Sequence, residues 1–155
     1  MPSRPSSTNP NGILSRISAT DLALLTPHLK PVDLPLRKQL ETRRRPIEYI
    51  YFLDSGFASV VANGGAGHSI EVGLIGREGM TGLAVVLGTD RSPNDTFVQM
   101  AGMGSRIAVP NLRRALEKSR TLHSSCLLYA HAFTIQTMYT AMANGRSKLE
   151  ERLAR

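Results

Sequence analysis

"IEVGLIGREGMTGLAVVLGTDRSPNDTFVQM", residues Ile70 to Met100, leaves an apparent β-strand, passes through several glycines and returns through a polar loop. A brief apolar run lies between the glycines, and the loop contains Arg91. Glycine-rich turns beside a basic residue often hold an anion, because backbone N–H groups and a positive charge then face the same point. The stretch therefore predicts a turn that interrupts a β-structure, and it raises the question of whether this turn cradles a phosphate.

Short apolar runs on both sides of this stretch have the composition of β-strands. Three precede it, Ile47 to Leu53, Phe57 to Ala62 and Ser69 to Ile75, and the turn signals "DSG" and "NGGAG" separate them. Two follow, Thr96 to Ala101 and Ser105 to Pro110, and we expect a turn at "GMG" to join them. Short strands at regular spacing with glycine-rich turns favour a sandwich, a jelly roll or a small barrel.

The first part of the chain divides into a polar lead-in, short helices and an extended segment. "MPSRPSSTNPNG" is rich in Pro, Ser and Asn, so residues 1–11 are predicted to be disordered. "ILSRISATDLALLTPHL" predicts one or two short helices, the second capped by Ser18 or Thr20. The apolar face of this second helix comprises Leu22, Leu24, Leu25 and Leu29. Because Pro31 and Pro35 disfavour a helix, "KPVDLPLRKQL" is predicted to be an extended edge segment.

The last part of the chain has a helical period. Pro110 suits the first turn of a helix over "NLRRALEKS", and a second helix is predicted from Ser119 or Thr121 to the end. Apolar residues recur along this second helix at heptad spacing, with Arg146 as the exception: Leu128, Ala132, Ile135, Tyr139, Met142, Leu149 and Leu153. A second apolar face comprises Leu122, Cys126, Tyr129 and Phe133, which we expect to pack on the β-domain. Asn144-Gly145 weakens the helix and is a candidate bend.

A helix that is apolar on two faces needs two packing partners. The β-domain is one partner, and a second copy of the same helix is the obvious other. The heptad seam therefore predicts a homodimer. The alternative, in which both stripes face one wide core within a single chain, stays open at this stage.

Composition restricts the class of protein. The chain has 155 residues, enough for one domain, and a formal net charge of +7 favours polyanionic partners without specifying nucleic acid. A single cysteine, Cys126, excludes an internal disulfide and suits a reducing cytosol, where we expect it to be a buried helix residue. The sequence lacks an apolar signal-peptide core and any apolar run of about 18 residues. It therefore predicts a cytoplasmic protein with no membrane partner.

The order of these elements resembles the effector domain of the Crp/Fnr family of bacterial transcription regulators. "DLPLRKQLETRRRPIEYIYFLDSGFASVV" is similar to the family's run into its β-roll, and "GLIGREGMTGLAVVLG" is similar to a variant phosphate-binding segment. "SKLEERLAR" resembles the end of the dimerisation helix. The resemblance covers about residues 12 to 155. It implies an α+β, mainly β fold: a double-stranded β-helix (jelly-roll) domain of the cyclic-nucleotide-binding type, with short N-terminal helices and a long C-terminal dimerisation helix.

The resemblance also implies a division of the chain and a function. Residues 12–120 would form the β-roll and residues 121–155 the dimerisation helix, while nothing in the sequence resembles the family's helix-turn-helix. The chain would then be the sensor and dimerisation half of a regulator with an unknown small-molecule effector, and it would reach DNA only through a domain missing from it. The second hypothesis is a stand-alone module that binds a cyclic nucleotide or a small anion.

In nucleotide-binding relatives, a Gly-Glu-Leu turn and a later Arg-Ser pair bind the cyclic nucleotide. The resemblance aligns that turn with Gly79, Met80, Thr81 and Gly82, and the pair with Arg91 and Ser92. No carboxylate stands at the glutamate position, and an unpaired ribose hydroxyl would cost about 1–3 kcal/mol. Thr137 is aligned near the hydroxyl that reaches the base. We therefore expect a degenerate pocket without a cofactor, although a small anion at Arg91 stays open.

Enzymatic sites are not indicated. His68 is the single histidine within the predicted roll, whereas a cupin-type metal site needs at least three ligands from two strands, so no metal is expected. No catalytic triad, Walker loop or paired-carboxylate motif is present. The sequence therefore predicts a protein that is not an enzyme.

Overall fold

The structure is a computed structural model that describes residues 9–154. The predicted disordered lead-in reaches into this range, and there it is wrong at Asn11, which is fully buried. The Asn11 side chain accepts hydrogen bonds from the N–H groups of Ile13 and Leu14, and it donates to the carbonyls of Leu53 and Gly79. The remainder of the predicted lead-in, residues 1–8, lies outside the described residues.

Two short helices precede the sheets, as predicted. Helix α1 spans Gly12–Arg16 and helix α2 spans Ala19–Leu25, followed by a 3₁₀ turn over Thr26–His28. Of the two predicted caps of α2, Ser18 is the one used, because its hydroxyl accepts from the N–H of Asp21 at 3.1 Å. The four predicted apolar residues of this face, Leu22, Leu24, Leu25 and Leu29, all pack against the hydrophobic core.

The strands form two antiparallel sheets. One sheet has the order β1-β7-β3, with β1 at Lys30–Leu34, β7 at Gly102–Ala108 and β3 at Tyr49–Leu53. The other has the order β2-β6-β4-β5, with β2 at Gln39–Glu41, β6 at Asp95–Met100, β4 at Phe57–Asn63 and β5 at Ser69–Ile75. The segment predicted as extended edge structure supplies β1 and β2, and each of them is an edge strand.

Strand β3 is buried on both faces because each face covers a different core. Ile50 and Phe52 belong to a cluster packed against the helices, whereas Tyr51 and Leu53 belong to a second cluster between the sheets. Successive side chains of a strand point to opposite faces, so one continuous apolar run fills both cores. This burial explains why "YIYFL" lacks the alternating pattern of a half-exposed strand.

The predicted turn at "GMG" is wrong. These residues begin strand β7, and the chain passes from one sheet to the other at Ala101. Their glycines serve close packing: a Cβ on Gly102 would lie 2.2 Å from the carbonyl oxygen of Ser55, and one on Gly104 would lie 2.3 Å from that of Phe52. Glycine at these positions therefore marks a close backbone approach rather than a reversal of the chain.

Three further helices complete the fold. Helix α3 is a single turn over Leu83–Val86, and helix α4 spans Val109–Lys118 with Pro110 in its first turn, as predicted. Helix α5 spans Arg120–Leu153, 34 residues or about 51 Å, and it continues through the Asn144-Gly145 pair. The Ser119 hydroxyl caps α5 by accepting from the N–H of Leu122 at 3.1 Å.

Helix α5 changes character along its length. Its first part packs on the domain, where Leu122 and Cys126 belong to the core packed against the helices and Ala130 is also buried. The last hydrogen bond from α5 to a strand joins the Gln136 side-chain oxygen to the N–H of Leu74 at 3.1 Å. Beyond Ala130, none of the described residues is buried. The helix is therefore part of the domain at its start and projects from it at its end.

Candidate functional site

A cavity of about 280 Å³ lies between the second sheet, helix α3 and helix α5. Its walls are mostly apolar and include Val60, Ile75, Leu83, Leu87 and Phe133. A small polar group lies among them, comprising Glu41 on β2, Ser92 in the polar loop and Thr96 on β6. Most of the lining residues belong to the stretch from Ile70 to Met100, and Glu41, Val60 and Phe133 complete the wall.

The turn before α3 directs one backbone N–H at the polar group. Gly82 has a φ of +77°, a left-handed conformation that favours glycine, and a Cβ there would lie 2.3 Å from Ile50 Cδ1. The Gly82 N–H donates to Glu41 Oε1 at 2.5 Å. The position at which an anion would meet this turn therefore already holds a carboxylate oxygen that belongs to the chain itself.

Glu41 is held by neutral donors. Its second oxygen, Oε2, accepts from the Thr96 hydroxyl at 3.3 Å, and the Ser92 hydroxyl is a further partner. Burial raises the pKa of the Glu41 carboxyl, while the hydrogen bonds from Gly82, Ser92 and Thr96 act in the opposite direction. Within residues 9–154, no ion pair involves Glu41. The polar group of the cavity therefore contains a carboxyl that has no paired cation among the described residues.

Arg91 lies at the rim of the cavity and faces outward. Its Nη1 donates to the carbonyl oxygen of Arg44 at 2.7 Å, and its Nε lies 3.7 Å from the Asp90 carboxylate. The side chain is 56% exposed. Together with Arg43 and Arg44 it lines a shallow depression of about 340 Å³ outside the cavity. Arg91 and Ser92 both line the cavity and the depression, but Ser92 is buried with its hydroxyl beside Glu41, whereas the Arg91 side chain is mostly exposed.

The other residues aligned with the family's turn have structural contacts. The Thr81 hydroxyl lies at the cavity wall and accepts from the N–H of Tyr51 at 2.9 Å. Met80 is fully buried in the core, and Gly79 lies beneath Tyr129, whose hydroxyl would be 2.2 Å from a Cβ at that position. Neither Gly79 nor Met80 lines the cavity. Of the aligned turn, Thr81 and Gly82 reach it.

Thr137 is not among the residues that line the cavity. Its hydroxyl donates to the carbonyl of Phe133 one turn earlier in α5, at 3.0 Å. The side chain that α5 contributes to the cavity is Phe133, which the sequence assigned to packing on the β-domain. Phe133 also packs against the cluster between the sheets, so that prediction is confirmed.

The sequence analysis missed Glu41, the residue that dominates the cavity. It lies on a three-residue edge strand, and its approach to Gly82 depends on the pairing of β2 with β6, 55 residues away in the sequence. A lone acidic residue inside the basic run "LRKQLETRRR" was the available signal. A carboxylate in that setting is a candidate for a specific internal contact.

The predicted dimer residues lie along the outer side of α5 and its projecting end. The large ones are between 40% and 79% exposed: Leu128, Ile135, Tyr139, Met142, Leu149 and Leu153. Ala132 is exposed as well, and Met138 extends the same stripe at 64%. A single chain leaves this seam uncovered, so the homodimer stays a prediction.

Three further properties concern the described residues. Across residues 9–154, no three His, Cys, Asp or Glu side chains gather closely enough to hold a metal ion. The same range has no helix that combines the length and apolarity needed to cross a membrane. Cys126 is buried as predicted, and burial raises the pKa of its thiol to about 11.

Comparison with known proteins relates the chain to solved structures. No protein-family model matches the sequence, and no curated protein matches it. The structure is similar to the sensor domain of the transcriptional regulator DNR from Pseudomonas aeruginosa, with a TM-score of 0.59 and 16% identity over 75% of this chain and 82% of that one. It is also similar to the N-terminal domain of a transcriptional regulator from Streptomyces coelicolor, with a TM-score of 0.61 and 13% identity over 87% of this chain and 94% of that one.

A third similar structure comes from a different kind of protein. It is the regulatory subunit of a cAMP-independent protein kinase A from Trypanosoma brucei, with a TM-score of 0.62 and 15% identity over 71% of this chain. The chain spans 41% of the length of that subunit. These likenesses establish the cyclic-nucleotide-binding fold, with antiparallel sheets, short N-terminal helices and a long C-terminal helix. The similar proteins are sensor or regulatory domains rather than catalytic ones.

Proposed function

We propose that this chain is the sensor and dimerisation half of a Crp/Fnr-type transcription regulator that acts in the cytoplasm and is not an enzyme. The observation that carries the proposal is the division of α5: its first part closes a cavity, and its outer side and projecting end present an uncovered apolar stripe. DNA would be read by a further domain, because no described element forms a helix-turn-helix. The sensor and regulator domains with the same fold support this assignment.

The mechanism would be a shift in population between two positions of α5. Phe133 lines the cavity and packs directly on β5, where a Cβ on Gly73 would lie 2.6 Å from Phe133 Cζ. The hydrogen bond from Leu74 to Gln136 ties the next turn of α5 to the same strand. A ligand that displaces Phe133 would therefore displace the helix at Ile135, an exposed residue of the predicted seam. A change at the cavity would thus re-aim the projecting end.

A reporter fusion tests this proposal. The chain is fused at its C-terminus to a DNA-binding domain that represses transcription only as a dimer. We expect the fusion to repress and Ile135→Asp to abolish repression, because the carboxylate would be buried against its copy. Ile70→Asp is the matched control, since Ile70 is also 40% exposed but lies on β5. A folded fusion that does not repress would overturn the proposal.

The alternative is a stand-alone module that binds a small anion or a cyclic nucleotide. The depression lined by Arg43, Arg44 and Arg91 favours it, because three basic residues line it with one nearby carboxylate, Asp90. Calorimetry with cyclic AMP and cyclic GMP separates the two functions. Micromolar binding that Arg91→Ala abolishes would favour the alternative; the absence of heat with either nucleotide would favour a degenerate pocket.

A further inference from the structure

We infer that the cavity selects an uncharged or cationic ligand that offers N–H or O–H donors, that Glu41 determines this selectivity, and that anionic phosphates are rejected. The inference rests on the proposed function, because it assigns a ligand class to the proposed sensor cavity. Three independent features lead to it: the occupied N–H group, the unpaired charge and the shape of the cavity.

The first feature is the contact between Glu41 and Gly82. An incoming phosphate would need the Gly82 N–H, which already donates to Glu41 Oε1 at 2.5 Å. The phosphate would have to displace a carboxylate of the same chain or lie beside it. Repulsion between the ionised Glu41 carboxylate and a phosphate at this turn would weaken binding by at least about tenfold. Glu41 therefore excludes the anion that this type of turn usually admits.

The second feature is that no cation among residues 9–154 forms an ion pair with Glu41. The groups that contact its carboxylate are an N–H group and two hydroxyls, all of them uncharged. Arg91, the basic residue that lines the cavity, donates to the Arg44 carbonyl at the rim instead. A charged donor from a ligand would supply the missing partner, and a neutral donor would supply a further hydrogen bond. Burial raises the pKa of Glu41, and a cationic ligand beside this carboxyl would favour its ionised form.

The third feature is the size and lining of the cavity. A volume of about 280 Å³ with walls from Val60, Leu83, Leu87 and Phe133 suits a compact apolar body. Glu41, Ser92 and Thr96 supply a polar group within this mostly apolar lining. The ligand class that matches both parts of the lining is a small ring or short branched chain that bears an amine, amidine, amide or hydroxyl group.

Three probes of nearly identical shape test the inference: benzamidine, benzamide and benzoate, which are cationic, neutral and anionic. Binding is followed by NMR titration of ¹⁵N-labelled protein, with the amide signals of Gly82 and Thr96 as reporters of the cavity. We expect benzamidine and benzamide to shift both signals and benzoate to bind at least about tenfold more weakly. Glu41→Gln keeps an acceptor for Gly82 but removes the charge. This variant should bind benzamidine about tenfold more weakly or worse, and its affinity for benzoate should approach its affinity for benzamide.

Glu48→Gln is the matched control, because Glu48 is exposed on the protein surface and does not line the cavity. This variant should bind all three probes as the natural chain does. Three outcomes would overturn the inference: benzoate that binds as tightly as benzamidine, Gly82 and Thr96 signals that no probe shifts, or a preference that Glu41→Gln leaves unchanged. The reporter fusion does not depend on these probes. If the fusion represses but the titration fails, the inferred ligand class is wrong and the regulator assignment stands. If the titration succeeds but the fusion does not repress, the regulator assignment is wrong and the ligand class stands.

Discussion

Replacing Met142 by aspartate should convert a dimer of this chain to monomers. Met142 lies near the middle of the projecting part of α5 and is 62% exposed in a single chain. In a parallel pair of helices, a seam residue faces its own copy across the symmetry axis. The substitution would therefore remove two apolar side chains and place two carboxylates opposite each other.

The exposed fraction of Met142 sets the size of the effect. Full burial of a methionine side chain contributes about 2 kcal/mol, so covering the exposed 62% contributes about 1.2 kcal/mol per copy. Both copies together lose about 2.5 kcal/mol, and the repulsion of two carboxylates adds about 1 kcal/mol. The total, about 3.5 kcal/mol, raises the Kd of the dimer several hundredfold, to roughly 10² to 10³ times its original value.

Sedimentation equilibrium over a series of concentrations measures this change directly. The natural chain should approach twice the monomer mass of 16.9 kDa, and Met142→Asp should remain near the monomer mass. Met100→Asp is the matched control, because Met100 is 56% exposed but lies at the end of β6. A Kd that Met142→Asp leaves unchanged would refute the seam, and so would a natural chain that stays monomeric at every concentration.

Two further predictions concern the attachment of α5 to the domain. Asp21→Asn should lower the unfolding free energy by about 1 kcal/mol at neutral pH, because the Asp21 carboxylate accepts from the hydroxyls of Ser119 at 2.5 Å and Thr121 at 2.7 Å. Those hydrogen bonds, above all the one from Ser119, lower the pKa of Asp21 in the folded protein. The stabilisation is therefore complete above the ordinary pKa of an aspartate and is lost as the pH falls through the lowered pKa of the folded protein. The acid denaturation curves of the natural chain and Asp21→Asn should accordingly converge at low pH. Gly79→Ala should destabilise the fold by about 1–3 kcal/mol in chemical denaturation, because its Cβ would lie 2.2 Å from the Tyr129 hydroxyl oxygen. Gly76→Ala has nothing within 4 Å of its Cβ and should have little effect; equal losses in both variants would contradict the packing argument.

Local signals predicted most of the fold. Ser18 and Ser119 cap helices as short polar residues do, and Pro110 stands in a first turn where its missing N–H costs nothing. The apolar runs around "DSG" and "NGGAG" are strands because their β-branched and aromatic residues fill two cores. Each of these features depends on neighbours within a few positions, and sequence patterns describe such neighbours well.

The errors and omissions arose where distant segments meet. "GMG" was predicted to be a turn because glycine commonly marks one, yet Gly104 is required by the nearby carbonyl of Phe52 on another strand. Glu41 was missed because its contact with Gly82 depends on the β2–β6 pairing and on a left-handed turn. The outward direction of Arg91 likewise follows from its hydrogen bond to Arg44, which itself has a φ of +63°. Spacing along the chain contains no information about such approaches.

The length of the projecting helix links the two proposals. About 17 residues of α5 extend past Gln136, and most of the stability of a helix in a protein comes from packing of its apolar face, which this part lacks in a single chain. Its apolar side chains therefore contribute to its stability only when a partner covers them. Association with a second copy and formation of the last turns of α5 should then be one coupled process. Phe133 lies beside the last turn of α5 that is hydrogen-bonded to a strand. A displacement of Phe133 at the cavity would therefore change the association of two helices from the domain side of the projecting part, not from its far end.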